Sequence, residues 1–268
     1  MNKKLTELTV LIKGGGEVAS CVAHRLYRAH FKVCMTEAPQ PQAVSRGVSF
    51  SEAVYDGEKE VEGVVAKLVK SASEIPWVWG DNKIPIIVDP EATIKDTINP
   101  DVLVDAIMAK RNLGTRITDA ALVIGLGPGF RAGKDVHLVV ETNNTEKLGE
   151  VIFAGEAEEN TGVPIAIGGL TSERALHATV EGLFVTEREM GEQVSGGEVI
   201  ASVGGQAIKA PTSGIIRALL RSGIQVKEGT KLVEIDPVAS KEICYSLRAR
   251  MRAIAGGVLE AILIRFNV

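Results

Sequence analysis

The stretch Leu8-Thr9-Val10-Leu11-Ile12-Lys13-Gly14-Gly15-Gly16-Glu17-Val18-Ala19 decides the fold that the sequence predicts. Its first five residues form an apolar run typical of a buried parallel strand. Read from Gly14, the next six residues match G-x-G-x-x-A, the dinucleotide-binding fingerprint, with Ala19 in the last position. In this motif the first glycine allows a tight turn and Gly16 leaves room for a phosphate. The small last residue allows the helix to pack closely on the strand.

The residues that follow extend the motif into a βαβ unit. Apolar residues at helical spacing predict a helix from Val18 to about Ala29, and 31–36 predict a second strand. Glu37 ends that strand about twenty residues after Gly16, where the fingerprint places an acid that binds ribose hydroxyls. The alternative is a glycine-rich turn that serves only close packing, with the helix N-terminus facing water or another anion. The binding residues predicted for this unit are Gly14, Gly15, Gly16, Glu17, Val18 and Glu37.

Composition narrows the class of protein. The 268 residues include 45% hydrophobic and 24% charged residues, which is typical of a soluble globular chain with one or two domains. The net charge of −4 and the scarcity of aromatic residues argue against nucleic-acid binding. No apolar run is long enough to predict a membrane span, and the three cysteines lack metal-ligand spacing. We therefore expect a cytoplasmic protein without a metal site.

A second glycine-rich loop follows another apolar run, 120–124. Successive amides in such a loop can form an anion-binding nest, and Arg131 and Lys134 add positive charge. The alternative is a tight connection between two strands. The residues predicted to form a second wall of the ligand pocket are Gly125, Gly127, Gly129 and Phe130.

The segments between these loops give weaker signals. Val48 to Glu52 and Val61 to Lys70 resemble short strand and helix pieces, and 84–88 form a β-branched run that predicts a third buried strand. Asp89 ends that strand and either faces the ligand crevice or caps the following turn.

Residues 176–236 contain a duplication with a 32-residue offset, visible in the pairs Ala178 and Ala210, Gly191 and Gly223, and Gly197 and Gly229. Each half reads as strand, turn, turn, strand, and two such halves can pack around a pseudo-twofold axis. The stretches 210–216 and 226–229 resemble the biotinyl/lipoyl-type barrel-sandwich hybrid. The link 204–207 is too short for a carrier hairpin, which predicts a structural or docking module without a prosthetic group.

The predicted fold class is α/β. We expect a Rossmann-like parallel-sheet domain over 1–172 and a duplicated barrel-sandwich-hybrid module over 173–238. Apolar residues at helical spacing in the tail predict that 239–268 form a helical segment packed on the first domain.

Several blocks of the sequence together resemble the YqeB-type accessory proteins of the selenium-dependent molybdenum hydroxylase system. The resemblance implies a role in maturing a molybdenum hydroxylase client, and it supplies no catalytic residue. Members more usually have Gly-Ala-Gly-Asp where this chain has Gly14-Gly15-Gly16-Glu17. The blocks that carry the resemblance are Lys13–Gly16 with Cys21–Ala29, Val48–Tyr55, Gly125–Phe130 and Gly155–Gly162.

Three functional hypotheses follow. The first is a maturation protein that binds a small phosphorylated ligand, with a molybdopterin dinucleotide as candidate, and delivers it to the client. The second is an NAD-dependent oxidoreductase, since Glu37 favours NAD, although no general acid–base set accompanies the fingerprint. The third is a non-catalytic scaffold with an empty pocket. The sequence leaves the catalytic residues and a homo-oligomeric state open.

Overall fold

A computed structural model describes residues 3–159, 166–238 and 240–267. The chain divides into two compact units, each taken over its described residues. Unit 1 comprises Met1–Pro41, Ser49–Thr161 and Leu247–Val268, and unit 2 comprises Gln42–Val48 and Gly162–Ser246. Unit 2 thus includes a short segment from the N-terminal half of the sequence, which the predicted boundary at residue 172 did not foresee. Among the described helices, none combines the length and the apolar composition that a membrane crossing requires.

Unit 1 contains eleven strands among its described residues. In chain order they are β1 (Thr9–Lys13), β2 (Lys32–Glu37), β3 (Glu58–Val61), β4 (Val64–Val69), β5 (Ile84–Val88), β6 (Val102–Asp105), β7 (Leu122–Leu126), β8 (Arg131–Ala132), β9 (Leu138–Val140), β10 (Val151–Ile152) and β11 (Gly155–Glu156). Its helices are α1 (Glu17–Arg28), α2 (Ala53–Asp56), α3 (Ile75–Gly80), α4 (Lys95–Ile98) and α5 (Ala249–Phe266).

Nine of these strands form one mixed sheet in the order β10-β9-β7-β6-β1-β2-β5-β4-β3. β1 lies at its centre, parallel to β2 on one side and to β6 on the other, and Lys13 stands opposite Asp105. The two ends of the sheet are antiparallel, because β3 pairs with β4 and β10 pairs with β9 in that sense. The centre is buried on both faces: Val10, Leu11 and Ile12 are fully buried.

The predicted Rossmann-like parallel sheet is therefore wrong. A doubly wound parallel sheet connects successive strands through helices, whereas the only described helices of unit 1 longer than two turns are α1 and α5. Short helices and loops make the other connections, and antiparallel strands close both ends of the sheet.

The segment Val61 to Lys70 also differs from its prediction, because it belongs to a hairpin of β3 and β4. Glu62 and Gly63 form the two-residue loop and both have positive φ, 45° and 80°. Two-residue hairpin loops favour this conformation because its twist matches that of the flanking strands. The short apolar run carried no period that separates helix from strand.

Unit 2 consists of two four-stranded sheets with the orders β12-β19-β17-β14 and β16-β15-β13-β18. All of their pairings are antiparallel. The strands are β12 (Ala175–His177), β13 (Gly182–Val185), β14 (Gln193–Val194), β15 (Val199–Val203), β16 (Gln206–Lys209), β17 (Gly214–Leu219), β18 (Ile224–Val226) and β19 (Lys231–Asp236).

The 32-residue duplication is visible in the hydrogen bonds of unit 2. The amide of Gly191 donates to the carbonyl of Ile216, and the amide of Gly223 donates to the carbonyl of Phe184. The two donors are 32 residues apart, and so are the two acceptors, so each half of the repeat donates the equivalent bond to the other half. The predicted fold class, which joined a Rossmann-like domain to a biotinyl/lipoyl module, is nevertheless wrong as a whole. What unit 2 shows is a pair of separate antiparallel sheets.

Helix α5 packs within unit 1 through a glycine. It runs without interruption through Gly256 and Gly257. A Cβ on Gly257 would collide with the carbonyl oxygen of Gly149, whereas a Cβ on Gly256 would meet no atom within 4 Å. Gly257 therefore sets how closely α5 approaches the loop before β10.

Substitution of these two glycines should change stability in opposite directions. Gly257→Ala forces α5 away from Gly149 and should lower the free energy of unfolding by about 1–3 kcal/mol. Gly256→Ala, the matched control, should raise it by up to about 1 kcal/mol, because alanine favours a helix interior. Urea unfolding of both variants measures the difference, and equal effects would contradict the close approach.

Candidate functional site

Ionisable residues mark the carboxyl ends of the parallel strands of unit 1. Lys13 ends β1, Glu37 ends β2 and Asp105 ends β6, while Asp89 and Glu141 directly follow β5 and β9. Open α/β sheets bind ligands at this edge, where neighbouring strands lead off to opposite sides. In unit 1 that point lies between β1 and β6, beside the turn formed by Gly14, Gly15 and Gly16.

The glycine turn is bonded to the chain itself. The amide of Gly14 donates to the carbonyl of Thr36 (2.9 Å), and the amide of Gly15 donates to Glu37 Oε2 (2.7 Å). The carbonyl of Gly15 accepts the amide of Ser51 (2.8 Å) and the hydroxyl of Ser20 (2.9 Å). A phosphate in this turn would have to displace the Glu37 carboxyl from Gly15.

Glu37 itself is directed at backbone amides. Its second oxygen, Oε1, accepts the amide of Ala38 (2.7 Å), so both oxygens have partners within the chain. Burial raises the pKa of Glu37 above its ordinary value of 4.5, and the amides of Ala38 and Gly15 offset only part of that effect. The residue predicted to bind a ribose thus occupies the anion position of its own glycine turn.

The first turn of α1 is likewise engaged within unit 1. Glu17 forms a two-point ion pair with Arg248, with Oε1 2.7 Å from Nε and Oε2 3.1 Å from the terminal guanidinium nitrogen. Val18 is half-buried beside it. Glu17 also provides the negative charge that favours a helix N-terminus.

The second glycine loop packs against protein at each of its predicted residues. The ring of Phe130 covers Gly125 and is itself buried among core residues that include Val123 and Val136. Gly127 has a φ of 72° and lies against the hydroxyl of Thr142. Gly129 has a φ of 106° and lies against the backbone of Lys110 and Arg111. These contacts favour the alternative interpretation, in which the loop is a tight connection between two strands.

A buried polar group at the centre of the edge was missed by the sequence analysis. Lys13 Nζ donates to Thr115 Oγ1 (2.7 Å), and that hydroxyl donates to Asp105 Oδ2 (2.6 Å). Lys13 and Asp105 are 3.4 Å apart, and all three residues are at most 5% exposed. Charged residues at two strand ends were a visible signal for the pair, but Thr115 lies in a loop without any pattern.

Asp89 and Glu141 hold loops in the same way as Glu37. Asp89 accepts the amide of Ile94 (2.7 Å) and the hydroxyl of Thr93, so it caps the turn after β5. Glu141 accepts the amides of Thr142, Asn143 and Glu158. Carboxylates of the chain therefore satisfy loop amides along this edge of the sheet.

Nothing in the structure tests ligand contact directly, so the predicted binding residues stay a prediction. The part of the motif block at Asn160, Thr161 and Gly162 lies outside the described residues. Within the residues that the structure does describe, no three His, Cys, Asp or Glu side chains are grouped as metal ligands.

Unit 1 also has a cavity lined by helices α1 and α5, away from the strand edge. It measures about 330 Å³, within the usual range for small-molecule sites, and we call it the α1–α5 pocket. Its lining residues are Cys21, His24, Arg25, Arg28, Ala29, Arg252 and Leu259. The first five belong to α1 or to the residue after it, and the last two belong to α5.

The charge of this pocket comes from its arginines. Arg252 is paired with Glu62 (2.7 Å), whereas the side chains of Arg25 and Arg28 form no ion pair or hydrogen bond with any residue that the structure describes. Burial lowers the pKa of His24 below 6.5, so its ring is neutral at pH 7. Burial also raises the pKa of Cys21 to about 12, so its thiol is not a nucleophile.

A curated relative matches almost the whole chain. It is the "Uncharacterized protein YqeB" of Escherichia coli strain K12, which is 46% identical over 255 residues. The match supports the resemblance to YqeB-type proteins that the sequence blocks predict. It covers 95% of this chain but 47% of the relative, so the chain spans about half the relative's length. No protein-family model matches the chain.

Solved structures with similarity to this one include three proteins of low sequence identity. They are the ectoine utilization protein EutE (DoeB) of Ruegeria pomeroyi, a succinylglutamate desuccinylase of Silicibacter sp. TM1040, and an aspartoacylase family protein of Mesorhizobium loti. Each is 13% identical and covers 87% of this chain and 86% of its own, with TM-scores of 0.26, 0.26 and 0.25.

The two ligand-binding functions predicted from the sequence are wrong. Maturation of a molybdenum hydroxylase and NAD-dependent oxidoreduction both required a Rossmann-type nucleotide pocket at the glycine turn. In the structure the Glu37 carboxyl binds the Gly15 amide there, and the sheet is mixed.

The role of Glu37 in the glycine turn predicts a loss of stability that depends on pH. Glu37→Ala leaves the amides of Gly15 and Ala38 without their acceptor and should lower the free energy of unfolding by about 1–3 kcal/mol. A raised pKa means that the folded protein holds the proton more tightly than the unfolded chain does. The stabilisation is therefore complete below the ordinary value of 4.5 and decreases as the pH rises through the folded pKa.

The loss caused by Glu37→Ala should accordingly be larger at about pH 4 than at about pH 7, measured by urea unfolding at both values. Glu60→Ala, at an exposed residue of the same unit, is the control and should cost less than about 0.5 kcal/mol. A Glu37→Ala effect as small as the control would show that Glu37 does not hold the turn.

Proposed function

We propose that this chain binds a small anionic molecule in the α1–α5 pocket. The observation that carries the proposal is that Arg25 and Arg28 line a cavity and have no ion-pair partner among the described residues. Three guanidinium groups line the pocket and one of them is paired with a carboxylate, which leaves two positive charges uncompensated. An anion is the ligand that offsets such a charge.

The chemistry of the lining narrows the ligand class. The guanidinium group offers planar, paired donors that fit the oxygens of a phosphate or a carboxylate. Neutral His24 can exchange one further hydrogen bond, and Ala29 and Leu259 offer a short apolar wall. We therefore infer a ligand with an oxyanion head and a small apolar part. The pocket supplies binding and carries no nucleophile, since Cys21 is protonated at neutral pH.

A purely structural role for the two arginines is the competing explanation. Arg25 and Arg28 lie in the last turn of α1, where positive charge stabilises a helix terminus. That role is served equally by arginines that point into water, and it does not require Arg252 of α5 to line the same cavity. Arg265 lies in the last turn of α5 but does not line the pocket, so it provides the matched control.

Binding of inorganic phosphate tests the proposal. Isothermal titration of the chain should show one site, and Arg25→Gln with Arg28→Gln should weaken binding about tenfold or more, because each removes a charge-assisted hydrogen bond. Arg265→Gln should leave the affinity unchanged. Acetate, titrated in parallel, distinguishes a carboxylate ligand from a phosphate ligand.

Two results would refute the proposal. One is no detectable binding of either anion to the unaltered chain. The other is equal affinity in the Arg25→Gln, Arg28→Gln variant and in the Arg265→Gln control.

A further inference from the structure

The third arginine of the pocket is held by a carboxylate on a neighbouring hairpin. Glu62 stands in the loop between β3 and β4 with a φ of 45°. Arg252 donates to both of its carboxylate oxygens, at 2.8 and 2.7 Å. Arg252 therefore lines the pocket with its charge already compensated.

The position of Glu62 is fixed by further contacts. Its Oε1 accepts the amide of Leu247 (2.9 Å), and its carbonyl lies 3.4 Å from His24 Nε2. Desolvation raises the pKa of the Glu62 carboxyl, but the Leu247 amide and the Arg252 guanidinium outweigh it and hold the pKa below 4.5. Glu62 is thus an anion at neutral pH, and it contacts two residues that line the pocket, Arg252 and His24.

Both partners of the ion pair keep contact with water. The Arg252 side chain is 42% exposed and the Glu62 side chain 26%. Ion pairs that keep contact with water are weakened by solvent, so a ligand anion can compete with Glu62 for Arg252. Arg25 and Arg28 offer partners to one anionic group, whereas a second group at Arg252 meets a guanidinium whose charge Glu62 already offsets.

We propose that Glu62 is an internal competitor for Arg252 that sets the affinity of the pocket and its preference between ligands with one and two anionic groups. The inference rests on the proposed function, since it concerns the same pocket. With Glu62 in place, the pocket favours a single oxyanion. Without its charge, Arg252 attracts a second anionic group more strongly.

The test compares phosphate with pyrophosphate in two matched variants. Glu62→Gln keeps an acceptor for the Leu247 amide but removes the charge, and pyrophosphate should bind about two- to fivefold more tightly than to the unaltered chain. The gain for phosphate should be smaller. Glu60→Gln removes an equal charge from the same hairpin and should change neither affinity, because this exposed side chain forms no hydrogen bond or ion pair with the described residues.

A double-mutant cycle identifies Arg252 as the group released. The effect of Glu62→Gln on pyrophosphate affinity should disappear in an Arg252→Gln background, a result that general charge removal would not give. Circular dichroism and urea unfolding establish that each variant is folded.

The outcomes separate this inference from the proposed function. If the Arg25→Gln, Arg28→Gln variant loses phosphate binding but Glu62→Gln binds pyrophosphate no more tightly than Glu60→Gln, the pocket stands and the competition is refuted. An undiminished Glu62→Gln effect in the Arg252→Gln background also refutes it. If the unaltered chain binds neither anion, the proposed function fails and this inference fails with it.

Discussion

The contact between the Glu37 carboxyl and the Gly15 amide is the constraint on which the rest of unit 1 depends. A glycine turn before a helix exposes amides that need an acceptor, and a bound phosphate is one common solution. Here the acceptor is a side chain from the end of the adjacent strand, 2.7 Å away. Asp89, Asp105 and Glu141 repeat the arrangement, each accepting an amide from a loop at the same edge. The edge where open α/β sheets usually receive ligands is in this way bonded to its own loops.

The uncompensated positive charge identified in unit 1 lies away from this strand edge. Along the strand edge, each charged group named above has a partner in the chain, including Lys13, which lies between Thr115 and Asp105. On the helical layer, two arginines of α1 share a cavity with Arg252 and find no partner within the described residues. An anion approaching the glycine turn meets the Glu37 carboxyl and the ion pair of Glu17 with Arg248, whereas one approaching the α1–α5 pocket meets guanidinium groups. Electrostatics therefore favours the pocket that the sequence analysis did not identify.

The sequence was informative where a pattern reflects local structure. The first strand, the helix and the second strand were placed within about a residue or two of β1, α1 and β2, since burial imposes their periods. The 32-residue duplication reappears as exchanged hydrogen bonds of Gly191 and Gly223.

The hydrogen-bond partners of the polar side chains and the residues that share a pocket were not predictable, because they depend on non-local packing. Glu37 looks the same in sequence whether it binds a ribose or Gly15, and the pocket joins residues of α1 and α5 that are more than two hundred positions apart. The antiparallel ends of the sheet were not predicted, because short apolar runs do not specify strand direction.

An NMR titration of isotopically labelled chain with inorganic phosphate tests the central claim most directly, because it reports the amides of the glycine turn and the guanidinium groups of the pocket in one experiment. We expect the side-chain Nε–H signals of Arg25 and Arg28 to shift in a saturable manner while the amides of Gly15, Gly16 and Glu17 stay in place. Saturable shifts at Gly15 and Gly16 with unmoved arginine signals would contradict the account, since they would show that phosphate displaces Glu37 and that the strand edge is the binding site.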